Sequence, residues 1–503
     1  MKKTLFLVST LIVTTLSAQQ KLSDKERNLI IQQLKKELID SLKKSASTEN
    51  PTVISLGKGD VEIMDTTSDD NKPNRQKGEP LEGMDMTWLN GADRRSTPTL
   101  AGKFFTPTVM LDANVTHSFA NPIDNTVVGS TALARNNEMQ ISGANLGGDF
   151  YYKGARAHIV TQFGTRSTVV PRNDLSPYRG QYDLADVYRY LAEANAGYHF
   201  NVLHGINVDA GMFMSYIGLN SYYQAENWEY QASYTSDNTP WFFNGMRIQI
   251  FATKKLKIEP WIINGWQSYG TFNNTPGFGG NITWCPTENV KMLTNDYYGH
   301  DAAGLPGRTR FHSDNSLLVR YYKNKTSKGI SQMAFSLTGD IGFEKGDGVS
   351  GFAKNSVLGP QQFFISAMFY NRVWFYKNKF AWTLGGGYMN NPGRYLVLAP
   401  TGDASPFPNQ YNPTQPAGTH PFTENPGDQF IGWDCSTNLS WMPNQHLEVR
   451  LEYVHRHASV GYFAGHGGVT SPSGYTYTPL PTGWSPDLVN AEDRVIFAVL
   501  FRL

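Results

Sequence analysis

The sequence predicts an all-β protein: a transmembrane antiparallel β-barrel of about 16 strands, within a range of about 14 to 18, with a short N-terminal periplasmic helix. Three observations carry that expectation. The last nine residues, Val495 to Leu503, read V-I-F-A-V-L-F-R-L and set Val495, Phe497, Val499, Phe501 and Leu503 on one side of an extended strand. An apolar, aromatic-rich strand of this kind closes the sheet of a membrane barrel, whereas a soluble domain normally covers such an edge. The chain holds 11 Trp, 26 Tyr and 28 Phe, yet its mean hydropathy is −0.41. No stretch beyond the first residues has the roughly 18 consecutive apolar residues of a membrane helix. From about residue 81 onward the hydrophobic period is two.

The elements follow in chain order. Lys2 and Lys3 precede an apolar stretch from Leu5 to Leu16 and then Ser17-Ala18-Gln19. This is the pattern of a secretory signal peptide over residues 1–18, cleaved after Ala18. Residues 19–45 read as an amphipathic helix: Ser23 and Glu26 have capping-box spacing, and Ile30, Leu34, Leu38 and Leu42 form a stripe. A lone helix of that length is marginal in water. The stripe therefore fits either a short periplasmic coiled coil between protomers or a frayed helix on a tether. Residues 46–80, rich in Ser, Thr, Asn, Asp and Lys, are too poor in apolar side chains to order themselves and read as a disordered linker.

The barrel is expected over residues 81–503. In Val109 to Phe119, apolar Val109, Leu111, Ala113, Val115 and Phe119 alternate with Asp112, Asn114, Thr116 and Ser118. Met333, Phe335, Leu337, Ile341 and Phe343 interleave with Ser336, Thr338, Asp340 and Glu344, and Leu447, Val449 and Leu451 with Glu448, Arg450 and Glu452. In a soluble sandwich the charged set would face water outside; in a barrel the apolar set faces lipid and the charged set lines a wet lumen. Segments such as 330–344, 360–376 and 446–457 exceed the five or six residues usual for soluble strands and favour the barrel. Connections near 254–255, 377–379 and 443–445 are short, while those near 217–238, 392–429 and 458–489 are long, as periplasmic turns and extracellular loops should be. The terminal strand is expected to pair with an early strand near residues 82–92, with both termini in the periplasm. Cys285 and Cys435 fall on opposite strand faces and are expected to stay unpaired.

Residues 211–270 bring a resemblance. Gly211-Met212-Phe213-Met214-Ser215-Tyr216-Ile217-Gly218, Asn238-Thr239-Pro240-Trp241-Phe242-Phe243-Asn244-Gly245 and Ile263-Asn264-Gly265-Trp266 resemble the OmpL-like β-barrel porin family, specifically members from Bacteroidetes-type bacteria. The resemblance extends over most of 81–503 and leaves out the N-terminal helix and linker. It implies an outer-membrane pore and offers no catalytic motif to transfer.

The residues themselves offer no enzyme chemistry. There is no G-x-S-x-G elbow, Walker loop or H-E-x-x-H helix. His455 and His457 alone do not make a metal site. No cofactor is expected, and a net charge of +1 gives no case for nucleic acid. The alternatives are an outer-membrane barrel enzyme hydrolysing lipid or peptide, for which residues such as Ser313, His312 and Asp314 could be combined, or a non-conducting structural or adhesive barrel. For a pore, the candidate lining residues by alternation are Asp112, Asn114, Arg247, Arg320, Asp340, Glu344, Glu448, Arg450 and Glu452. Their mixed signs predict weak selectivity for small hydrophilic solutes or ions. The segment around Arg166, Arg172, Asp174 and Arg179 is the candidate constriction loop, with an ordinary external loop as the alternative. The expected partners are outer-membrane lipid, the barrel assembly machinery and further copies of the chain, a trimer being the order common among general porins.

Overall fold

The computed structural model describes residues 80–89, 91, 98–171, 184–271, 273–302, 304–393, 429–469 and 486–503. The expected signal peptide, amphipathic helix and linker (Pro80 apart) lie outside them.

The strands are β1 (Phe105–Ser118), β2 (Met139–Tyr152), β3 (Ala155–Thr161), β4 (Leu191–Phe200), β5 (Ile206–Met214), β6 (Phe242–Thr253), β7 (Leu256–Ile263), β8 (Gly277–Thr287), β9 (Val290–Gly299) and β10 (Thr309–Lys323). They continue with β11 (Ile330–Gly346), β12 (Val349–Ser350), β13 (Phe363–Phe375), β14 (Phe380–Pro392), β15 (Gln429–Trp441), β16 (Leu447–Ala458), β17 (Phe463–Ala464), β18 (Leu488–Val489) and β19 (Ala491–Arg502). Sixteen of them form one closed antiparallel barrel in chain order, with β12 an appendage of β11 and β17–β18 a separate small hairpin. Closure comes from β19 against β1, running from Met110 opposite Arg502 to Ser118 opposite Arg494. Early pairing is therefore made by residues 105–118. The stretch near 82–92 forms no strand among its described residues.

The period-two pattern explains the wall. Along β1, Asp112, Asn114, Thr116 and Ser118 are buried while Leu111 is exposed. Along β10, His312, Asp314, Ser316, Leu318 and Arg320 are buried, whereas Leu317, Val319 and Tyr321 take the other face. The exposed set is Phe, Tyr, Trp, Leu, Ile and Met on nearly every strand, and the buried polar set is the interior. That arrangement satisfies every strand's backbone inside a ring without free edges, which a lipid environment demands.

One end carries the tight turns: Lys153–Gly154, Lys254–Lys255, Glu288–Asn289 and residues 376–379. Lys153 and Gly154 both hold positive φ (47° and 87°), the backbone that a two-residue hairpin needs to match strand twist. The other end carries the long connections. The β5–β6 connection, expected as an outer loop, instead folds into the barrel. Residues 222–243 are buried apart from half-buried Glu226.

Candidate functional site

The site is the barrel interior together with the inserted segment 215–241. This segment carries Tyr216, Tyr222, Tyr223, Trp228, Tyr230, Tyr234 and Trp241, the acidic residues Glu226, Glu229 and Asp237, and no Lys or Arg. A solvated loop rarely holds so much aromatic surface, because that surface gains by leaving water. The inward face of β13, β15, β16 and β19 supplies the complement.

Arg372 donates to Trp228 O at 2.7 Å, and Arg450 to Asn227 O at 2.8 Å. Arg456 pairs with Asp237 at 3.1 Å, bonds Gly129 O and lies 4.0 Å from the Tyr234 ring centroid. Arg494 donates to Gln231 Oε1 at 2.9 Å and to Val128 O at 3.1 Å. Carboxylates hold the other side of the segment: Glu452 accepts from Tyr230 N and Gln231 N at 2.6 and 2.8 Å, and Asp434 from Ser233 Oγ and Tyr234 N, both at 2.9 Å. Gly387 makes room, since a Cβ there would meet Ser233 Oγ at 2.2 Å. Each of these charged groups thus has at least one hydrogen-bond partner where water is excluded, which lowers the free-energy cost of burying it.

The lining candidates all sit on the inward side. Asp112 bonds Arg166 and Tyr230 Oη, and Asn114 donates to Tyr230 Oη at 2.7 Å. Glu448 pairs with Arg450 at 2.9 Å, and Glu344 with Arg310 at 2.6 Å. Asp340 lies 3.6 Å from His312. Asp112, Asn114, Arg450 and Glu452 converge on the inserted segment, so their role is to grip protein and not only to face water. Arg247 differs: it pairs with Asp209 at 3.2 Å and stays partly open. Of the constriction candidates, Arg166 is buried on the inward side against Asp112 and Tyr222; Arg172, Asp174 and Arg179 lie outside the described residues.

The interior is asymmetric. Arg372, Arg450, Arg456 and Arg494 are fully covered, whereas Arg156, Arg247 and Lys257 on β3, β6 and β7 keep 27%, 19% and 24% of their side-chain surface. His158 bridges Asp149 and Glu193 on the same wall, and Tyr223 reaches Glu193 from the segment at 3.0 Å. A cavity of about 340 Å³ opens at the turn end, lined by Pro80, Asp149, Tyr151, Arg156, His199, His204 and Asn207 among others. Half-exposed inward side chains are thus found on β3, β6 and β7, away from the fully covered arginines.

A second segment enters from the turn end. Asp85 pairs with Arg320 at 2.9 Å and Lys325 at 2.6 Å, while Trp88 Nε1 donates to Glu288 O at 2.8 Å and its ring lies 6.5 Å from that of Trp228. Gly91 N reaches Glu226 O, tying this stretch to the inserted one. Burial pushes the Asp85 carboxyl upward, but hydrogen bonds from Lys325, Thr87 and Arg320 outweigh it and hold the group well below its ordinary 3.8. The stability it contributes is therefore complete above that value and is lost as the pH falls through the lower folded-state value. Asp85→Ala should leave residues 80–91 open to protease at neutral pH, where the parent resists; equal cleavage of both would exclude this latch.

Ser313 points outward while His312 and Asp314 point inward, so period-two alternation separates the members of that Ser-His-Asp grouping. His455 and His457 flank Trp433 on the outer face. Among the described residues no group of three or more His, Cys, Asp or Glu has the geometry to hold a metal ion. Cys285 and Cys435 are both free.

Arg372, Arg456 and Asp434 escaped the sequence reading, whereas alternation along the terminal strand sets Arg494 on the lumen or rim side. Their signal was present: cations at inward positions of neighbouring strands, facing a connection that has aromatic and acidic residues and no basic ones.

Residues 105–478 match the family model described as "Putative beta-barrel porin-2, OmpL-like". No curated protein matches the chain. Among solved structures, the outer-membrane channel DcaP of Acinetobacter baumannii is 9% identical, with 79% of this chain and 97% of that one covered and a TM-score of 0.44. An anion-selective porin of Comamonas acidovorans is 8% identical (79% and 99% covered, TM-score 0.44), and OprB of Pseudomonas putida 10% identical (80% and 94%, TM-score 0.44).

Proposed function

The chain belongs to the OmpL-like β-barrel porin family, and from that premise we propose that it is an outer-membrane channel for passive, weakly selective diffusion of small hydrophilic solutes or ions, narrowed by residues 215–241. The observation that carries the reading is the partly open β3–β9 wall inside a closed sixteen-strand barrel, since a ring of that size exceeds what side chains alone can fill. On that wall Arg156, Arg247, Lys257 and Lys291 stand beside Glu193, Asp209 and Glu259, with Asp149 on the adjoining β2. Interleaved signs in similar number give no single-sign ring, and strong ion selectivity needs one.

The turn end then faces the periplasm and the long connections face outward. Export through a cleaved signal peptide over residues 1–18, a periplasmic N-terminal segment, and insertion by the barrel assembly machinery into outer-membrane lipid belong to the same proposal. So does the absence of catalysis: lipid or peptide hydrolysis by the purified protein should stay at background.

Planar-bilayer recording tests the channel. Folded protein should give ion-permeable steps and, under a salt gradient, a reversal potential close to zero. Folded protein without steps overturns the reading.

A further inference from the structure

Among the described residues the outer face of the barrel carries a polar island on β9, β10, β11 and β13. Asp296 and Thr294 on β9 stand opposite Ser313 and Asn315 on β10; Asn315 stands opposite Gly339 on β11, and Gly339 opposite Ala367 on β13. Asp296, Asn315, Gly339 and Ala367 are exposed, and Thr294 and Ser313 half-buried. This polar island lies inside the apolar band, not at its rim. Tyr298, Phe311 and Phe343 form the next row toward the long-loop end, and Met292, Leu317, Leu337 and Phe369 the next row toward the turns.

A carboxylate on the lipid face of a barrel is destabilising to a degree that depends on its depth. Elsewhere on this outer face such groups are matched: Asp493 accepts from Tyr453 Oη at 2.6 Å and lies 2.8 Å from His455 Nδ1. Asp296 is not matched. Its main-chain carbonyl accepts from Tyr216, but among the described residues its side chain forms no hydrogen bond or ion pair. Lipid tails offer no donor, and a lipid phosphate would meet a like charge.

We propose that this patch is the contact surface for a second copy of the chain, related by a two-fold axis along the membrane normal. The chemistry is self-complementary. Ser313, Asn315 and Thr294 carry donors, Asp296 carries only acceptors, and the two sets lie side by side. Asn315 Nδ2 already donates to Ser313 Oγ at 3.0 Å, which leaves the Ser313 hydroxyl hydrogen to give. A two-fold axis between β9 and β10 sets that hydroxyl of each copy against the carboxylate of the other, so both carboxylates gain a donor by one operation. Gly339 and Ala367 leave the sheet flat enough for close approach, the device by which membrane segments associate when no hydrophobic gain is on offer. A cyclic trimer joins two different patches and would not match Asp296 to its own neighbours in this way.

The full chain with Cys285→Ser and Cys435→Ser supplies the test, reconstituted in lipid nanodiscs. Native mass spectrometry should report a dimer. Under copper-phenanthroline oxidation, Ser313→Cys should give a covalent dimer, while Val115→Cys on β1 should not. Asp296→Leu should cut the Ser313→Cys cross-link at least several-fold while the heat-modifiable folded band persists. If Asp296→Leu fails to fold, Asn315→Leu reads the same effect. A monomer or a trimer by mass, or cross-linking of Ser313→Cys no greater than that of Val115→Cys in folded protein, overturns the proposal. Channel activity plays no part in these readouts, so they stand or fall apart from the porin reading.

Discussion

Removing residues 220–237 and bridging the gap with a short Gly-Ser linker is expected to raise single-channel conductance several-fold and to admit larger solutes. The segment fills the space that a sixteen-strand ring otherwise leaves to water. The barrel should survive the deletion. Arg372, Arg450, Arg456 and Arg494 would lose their acceptors on the segment but keep Glu448, Gly129 O and Val128 O, and water would enter in the same step and hydrate them. A point substitution acts in the opposite way. Arg456→Ala keeps the segment in place and strips Asp237 of its 3.1 Å partner, leaving a buried carboxylate without its counter-charge. Breaking one side of a buried pair costs about 3–5 kcal/mol, so this variant should unfold at clearly lower urea concentration and show noisy, flickering current. Conductance unchanged by the deletion, in folded protein, would mean that 215–241 does not limit flow.

Truncation of Val495–Leu503 should abolish folding into the outer membrane altogether. These residues bond to β1 on one side and to β16 on the other, with Phe497 opposite both Val115 and Leu451. Without them the ring opens and two rows of backbone polar groups meet lipid, where each unsatisfied group costs several kcal/mol. Phe497→Arg probes the lipid-facing side of the same strand. A cation there costs about 2–4 kcal/mol near the midplane, which should lower stability without abolishing assembly. Heat-modifiable, membrane-inserted protein from the truncated chain would refute the closing role of this strand.

The wall was legible because period-two alternation is local. Val109 to Phe119 shows on its face which residues must go to lipid and which inward, and β1 has that division. The approximate strand count and the alternation of short and long connections followed from the same signal. The partner of the terminal strand did not. Residues 82–92 contain Trp88 and Leu89, apolar enough to suggest a strand, but Asp85 finds Arg320 and Lys325 inside the ring and Trp88 finds Glu288 O and Trp228. Those partners lie about two hundred residues away or more in several cases, and no window of sequence contains them.

The site was half legible for a related reason. Inward positions such as Glu448, Arg450 and Glu452 could be named from alternation, because the side chain's direction is a property of the strand. What they face is a property of the closed ring. Residues 217–238 have the Tyr, Asn and Ser content of an outer loop, and nothing nearby in the chain says which way a loop turns. That is decided when Glu452 meets Tyr230 N, Arg372 meets Trp228 O and Arg456 meets Asp237, contacts that exist only once β13, β15, β16 and β19 stand side by side.

By itself, then, the sequence determined a barrel, its lipid-facing and inward faces, and the polar character of its interior, since each depends on the pleat of single strands and the transfer of side chains out of water. Only the tertiary structure decided that residues 222–243 fill part of the interior, that Arg156, Arg247 and Lys257 keep part of their surface, and that Asp296 stands unmatched in the lipid-facing band. Those outcomes depend on pairings between residues far apart in the chain, which take their value from a geometry that does not exist until the ring is closed.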